Sequence, residues 1–295
     1  MHVLTLIAPP ATALTEARLG RIAAALGAAR SDWLAPEEAA DLVFATPPAQ
    51  RAIDAAVGGL GVDAILQPVA GRAKLLLLAD MDSTIVTTET LDELAGYAGL
   101  KDRIAAITAR SMNGELDFRQ ALIERVGLLR GLSVRALDST WRSTELMPGA
   151  ATLVATMRAH GAVCALVSGG FSFFTSRVAA RLGFDHHRAN TLLDDGIALT
   201  GGLGAPILDR AAKRAALHEL AAAHGLRLAQ SMAVGDGAND LEMLRDAGIG
   251  VAYHARPIVA REARARVDFC DLRALLFIQG YRATDFSTDV LAAPA

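Results

Sequence analysis

Residues 74–89, KLLLLADMDSTIVTTE, limit what this chain can become more than any other stretch. The leucine run that ends at Ala79 has the length of a strand buried on both faces. Asp80 and Asp82 follow at its C-terminal end, the edge where open α/β sheets bind ligands. Two carboxylates one residue apart repel each other, and holding both charged requires a cation, a proton or a reaction. The run therefore predicts an α/β core, and the pair predicts a site at the core's edge.

The chain beyond it fits that expectation. Val163–Val167, Ser231–Val234 and Ile249–Val251 read as further buried strands, with helices ending at Leu182, His224 and Ala247 between them. Such alternation predicts a doubly wound parallel sheet, covered by helices on both faces. Residues 90–147 carry helical patterns and no strand, so they are predicted to form a helical cap, inserted after the first core strand and lying over the sheet's C-terminal edge. Ser168-Gly169-Gly170 reads as a turn. Arg188–Leu192 and Ile197–Thr200 read as a hairpin about Asp194-Asp195-Gly196. Arg261, Arg264 and Arg266 read as one solvated helix face, His186 and His187 as surface loop.

Residues 1–72 have a different order. Strands are predicted at His2–Ala8, Ser31–Ala35, Asp41–Ala45 and Ala64–Val69, with helices at Thr15–Leu26 and Ala49–Val57. The order βαββαβ is that of a small ferredoxin-like α+β unit, and it resembles the amino-acid-binding ACT domains. Two domains are expected, 1–72 and 73–295, with the cap at about 90–147 inside the second.

Composition narrows the function classes. At 52% hydrophobic and 21% charged residues the chain can bury a large core. A net charge of −3 without a basic stripe argues against nucleic acid and a polybasic membrane surface. No apolar run approaches the ~20 residues of a membrane span. The first residues lack a charged n-region and read as a strand, not a signal peptide. Cys164 and Cys270 make no disulfide framework, and fit free thiols in a reducing cytoplasm. Lysine occurs only at 74, 101 and 213, so Lys213 is not casual surface decoration.

Four polar clusters fall at or near strand ends: Asp80/Asp82, Ser168, Lys213 and Asp236/Asn239/Asp240. Carboxylates from two loops make a hard oxygen site suited to Mg²⁺. A lysine and a serine hydroxyl add a charge and a donor for a phosphoryl group, and Gly169 and Gly170 let main-chain N–H groups approach. No His/Cys set suggests zinc, and no GxxxxGK[ST] loop suggests a nucleoside triphosphate.

DMDST, SGG, the lone lysine and GDGAND, in that order, resemble the haloacid dehalogenase superfamily from about Lys74 to Arg273. Glu89, Met112-Asn113-Gly114, Phe118 and Arg125 are similar to the pattern of its phosphoserine phosphatase family. The resemblance implies a phosphatase with Asp80 as nucleophile and Asp82 as general acid and base. It implies Mg²⁺ on Asp80, the Asp82 carbonyl and Asp236, with Asp240 in support. Ser168, Gly169, Gly170, Lys213 and Asn239 would bind the phosphoryl group. Glu89 and Arg125 would pair with the ammonium and carboxylate of O-phosphoserine, under Met112 and Phe118. The alternatives are another small phosphate ester such as phosphohomoserine or, in a different class, a regulatory amino-acid-binding protein. The N-terminal unit would then sense serine, join a homodimer, or do neither.

Overall fold

A computed structural model describes residues 1–112 and 116–287, the side chains of Ala109, Ser111 and Met112 excepted. The chain begins with β1 (His2–Ile7), α1 (Glu16–Leu26), β2 (Arg30–Ala35), β3 (Ala39–Phe44), α2 (Gln50–Val57) and β4 (Asp63–Pro68). These strands form an antiparallel sheet in the order β2-β3-β1-β4, the predicted ferredoxin-like arrangement. Alternation decides its faces. Leu4 and Leu6 of β1 and Leu42 and Phe44 of β3 pack on Leu19, Ile22 and Ile53 of the two helices.

The larger part of the chain starts at β5 (Leu76–Ala79). The cap helices follow: α3 (Thr90–Tyr97), α4 (Lys101–Met112), α5 (Phe118–Leu128) and α6 (Arg135–Ser143). Next come α7 (Ala150–Ala159), β6 (Val163–Phe171), α8 (Ser172–Leu182), β7 (His186–Asn190), β8 (Leu192–Asp194), β9 (Leu199–Leu203) and α9 (Arg210–Ala223). The chain continues through β10 (Ser231–Gly235), α10 (Leu241–Asp246), β11 (Ile249–Tyr253), α11 (Pro257–Glu262), β12 (Ala265–Val267) and α12 (Ala274–Gln279). Six of these strands make one parallel sheet, β12-β11-β10-β5-β6-β7.

β5 lies near the centre and is fully buried, as its leucines require. Leu76 and Leu78 face a core with Ala216 and Leu217 of α9 and Met243 and Leu244 of α10. Leu77 and Ala79 face the opposite core, with Leu153 of α7, Phe174 of α8 and Leu275 of α12. Each fully buried leucine contributes about 2 kcal/mol of transfer free energy. Ala79 lies level with Val234 of β10 and Leu166 of β6. This register brings Asp80, the loop after β10 and Ser168 to one edge.

Three local expectations differ. Ser168-Gly169-Gly170 is not a turn; β6 continues through it to Phe171. The hairpin pairs β8 with β9, whereas residues 186–190 join the parallel sheet as β7, so His186 and His187 start a strand. Arg266 lies in strand β12, not on a helix with Arg261. β12 has three residues, too few for a period, and α12 is an unbroken apolar run whose period is unreadable.

The second face of the N-terminal sheet packs on the larger body. Ile7, Ala39 and Ile65 share one core with α12. Charged groups there are paired, though Arg72 Nε is left without a partner among the described residues: Arg72 Nη1 meets Asp41 at 2.6 Å, and Asp41 accepts the Thr5 hydroxyl at 2.8 Å. The Asp63 carboxylate accepts the main-chain N–H groups of Asp268, Phe269 and Cys270. Asp41→Ala strands the Arg72 charge at this junction and should cost about 3 kcal/mol, measured by urea denaturation. A loss below about 1 kcal/mol would mean that water reaches Arg72 and the junction is loose.

Candidate active site

Asp80 follows β5 directly and is 5% exposed. Its Oδ1 accepts the Met81 N–H at 2.8 Å and meets the Lys213 ammonium at 2.7 Å. Lys213 enters from the first turns of α9 and is 2% exposed. Its second partner is Asp240 Oδ1, also at 2.7 Å. Burial works against the charge on Lys213, but Asp240 and Asp80 outweigh it and raise the ammonium's pKa. Asp240 Oδ2 in turn accepts the Gly237 N–H at 3.0 Å, tying down the loop after β10.

Asp82 is the second carboxylate. Oδ1 accepts the N–H of Thr90, the first residue of α3, at 3.0 Å, and Oδ2 accepts the Ser168 hydroxyl at 3.3 Å. An unpaired N–H at a helix start suits an anion. Even so, burial, with the charges of Glu89 and Asp80, pushes Asp82 up to about 7. A carboxylic acid titrating near neutrality can give and take protons. Asp236 is pushed up to about 8 by burial and by the charges of Asp80, Asp240 and Glu89, which Lys213 only partly offsets.

Oxygens of Asp80, Asp236 and Asp240 lie within 4.8 Å of one another. All three donors are hard carboxylates, the set that Mg²⁺ or a similar cation takes. The raised pKa values of Asp82 and Asp236 mark the same shortage of positive charge, so the residues fit a divalent cation.

β6 supplies the opposite wall. Ser168 is buried, and its hydroxyl also accepts the Gly170 N–H at 2.8 Å. The glycines serve close approach. A Cβ on Gly170 would lie 2.5 Å from Asp82 Oδ2, and one on Gly169 would lie 3.1 Å from Phe118 Cζ. The second contact also shows the cap resting on the core, since Phe118 opens α5. Asn239 Nδ2 lies beside the same glycine.

Glu89, exposed, caps the approach to α3, and its Oε1 accepts the Ser83 hydroxyl at 2.7 Å. Arg125 is half-buried in α5. Burial lowers its pKa, while Asp92 and Glu89 pull the other way, which puts Arg125 within electrostatic reach of Glu89. The Met112 side chain and Asn113-Gly114 lie outside the described residues. Two threonines join the site without having been expected. Thr84 donates to Asp236 Oδ1 at 3.2 Å, and Thr90 supplies the N–H to Asp82. Their closeness in sequence to Asp82 was the available signal.

Residues 77–245 match the family model of the haloacid dehalogenase-like hydrolases. A phosphoserine phosphatase of Streptomyces coelicolor is 42% identical over 239 residues, 80% of this chain and 58% of that relative. The chain spans a similar share of two other curated relatives, 55% and 59%. A HAD family hydrolase from Salmonella enterica serovar Typhi has a similar structure, with a TM-score of 0.85 and 29% identity, covering 94% of this chain and 98% of the other. A probable phosphoserine phosphatase from Vibrio cholerae, in unliganded form, gives 0.79 and 28%, over 99% and 90%.

The acidic cluster has a measurable signature. Asp82 and Asp236 have folded pKa values near 7 and 8, above the ~3.9 of an unfolded aspartate. The stability they contribute is complete below about pH 4 and is lost as pH rises through both folded values. In a chelator the melting temperature should therefore fall from about pH 4 to about pH 8 and level off above that. Millimolar Mg²⁺ should remove most of the fall. A flat profile in chelator would contradict the charge shortage.

Proposed function

We propose, for a chain that belongs to the haloacid dehalogenase-like hydrolases, hydrolysis of O-phosphoserine to serine and phosphate, the last step of L-serine biosynthesis. One observation carries the reading: Asp80, Asp82, Ser168, Lys213 and Asp236 converge at one sheet edge, beneath a cap bearing Arg125. The names of the similar proteins support the substrate.

In this reading an oxygen of Asp80 attacks phosphorus, forming an aspartyl phosphate as the serine oxygen leaves. Asp82 delivers its proton to that oxygen, and then takes one from the water that cleaves the acyl phosphate. A pKa near 7 suits both tasks. Lys213, Ser168 and the main-chain N–H groups of Gly169 and Gly170 hold the phosphoryl oxygens, where negative charge needs stabilising. Asn239 faces the same group. Mg²⁺ would be held by Asp80, the Asp82 carbonyl and Asp236, and supplies positive charge that offsets repulsion between carboxylate and phosphate. Asp240 supports the arrangement through Lys213 and Gly237.

Glu89 is taken to pair with the substrate ammonium and Arg125 with its carboxylate. Phe118 and Met112 exclude water as the cap closes. Residues 1–72 and 73–295 are taken as two domains, with the cap at about 90–147 inserted in the second.

Phosphate release from O-phospho-L-serine is the direct test. It should require Mg²⁺ and vanish in Asp80→Asn; no release with metal present overturns the reading. Arg125→Ala should lower kcat/KM for phosphoserine by roughly 100-fold, the loss of about one charge-assisted pair. Hydrolysis of p-nitrophenyl phosphate, which has no carboxylate, should change far less. Equal losses on both would remove Arg125 from substrate recognition.

A further inference from the structure

Asn190, the last residue of β7, is wholly buried. Its Nδ2 donates to the Gly169 carbonyl at 2.9 Å and to the Leu208 carbonyl at 3.3 Å, and its Oδ1 accepts the Leu208 N–H at 2.7 Å. Both amide hydrogens and one acceptor site are used. The partners leave no choice of amide orientation, because a carbonyl only accepts and an N–H only donates.

The two segments gripped are distant in sequence and adjacent in the site. Gly169 belongs to β6, next to Ser168, at a point where a side chain would crowd Phe118 of the cap. Leu208 precedes Asp209, whose carboxylate accepts the Ala212 N–H and caps α9. Lys213 is the next residue. One side-chain amide thus ties the strand bearing the serine hydroxyl to the start of the helix bearing the ammonium. We propose that Asn190 is a positioning residue, which sets the spacing of the Ser168-Gly169 main chain and Lys213 around a bound phosphoryl group. The proposal rests on the phosphatase reading for the identity of that group. Asn190 touches no reacting atom; its effect passes through the two segments that it joins.

The test uses the full chain with Mg²⁺ and two variants. Asn190→Asp keeps the acceptor for Leu208 N–H but sets a carboxylate against two carbonyl oxygens. Asn190→Ser removes the bridge without adding charge. Three quantities are read: kcat on O-phosphoserine, the dissociation constant of inorganic phosphate by calorimetry, and the melting temperature. Both variants should lose roughly 10- to 100-fold in kcat, the usual effect of removing a supporting hydrogen bond around a site, and bind phosphate more weakly. Relative to the parent at each pH, the Asn190→Asp deficit should narrow on acidification, since a protonated carboxyl regains one donor. The Asn190→Ser deficit should not. A purely structural role predicts a lower melting temperature and a smaller active fraction with an unchanged phosphate constant, and that result would overturn the proposal. So would parent-like kcat and phosphate binding in either folded variant. If Asn190→Asp does not fold, Asn190→Ser carries the same comparison. A parent inactive on phosphoserine sinks the functional reading alone, because phosphate binding still tests Asn190.

Discussion

A lysine ammonium taken out of water between two carboxylates is the contact on which the site depends. Desolvating such a charge costs several kcal/mol, and only close, well-directed partners offset it. Lys213 has two, Asp80 and Asp240, both at 2.7 Å. The three groups lie on different pieces of chain: Asp80 at the end of β5, Lys213 in the first turns of α9 and Asp240 in the short 3-10 turn Ala238–Asp240. A shift of any one would leave a buried charge without its counterpart. The two cores on either side of the parallel sheet can be understood as the rigid walls that keep the three pieces from parting.

The same contact explains why the acidic groups differ in character. Asp80 holds the ammonium directly. Asp82, one residue on, is turned toward the start of α3 and the Ser168 hydroxyl, and is left to titrate near 7. The Asp236 carboxylate receives only the Thr84 hydroxyl as a protein donor among the described hydrogen bonds, and titrates near 8. Three aspartates of identical chemistry are thereby given different surroundings: one against an ammonium, one against a helix start and a hydroxyl, and one with a single hydroxyl donor to its carboxylate.

Much of this was legible in the sequence because each signal was local. The leucine run ending at Ala79 had the length of a doubly buried strand, which Leu76–Ala79 forms, and the aspartates behind it marked the edge of the sheet. The order of the later motifs then named the loops that would meet it. What escaped depends on neighbours remote in sequence. Gly169-Gly170 read as a turn, because glycines commonly make turns; here they sit in extended chain and make room for Asp82 and Phe118. Asn190 carries no signal at all by itself, since its value comes from reaching both Gly169 and Leu208. β12 and α12 were lost for a different reason: three residues, and a six-residue helix that opens with five apolar ones, are too short and too uniform to show a period.

The N-terminal sheet has helices on one face and the α12 core on the other, with Asp63, Arg72 and Asp41 closing the seam. A sheet covered on both sides has only its rims left to offer. What this unit leaves open to solvent is therefore the outer faces of α1 and α2 and the rim at β2, since β4 lies beside β12. The inner face rests on α12, which packs in the same core as Leu77 and Ala79 of β5. The sheet is joined to the strand that leads to Asp80 by packed side chains, by hydrogen bonds such as that from Gln67 Nε2 to the Ile278 carbonyl, and by the short stretch of chain between β4 and β5.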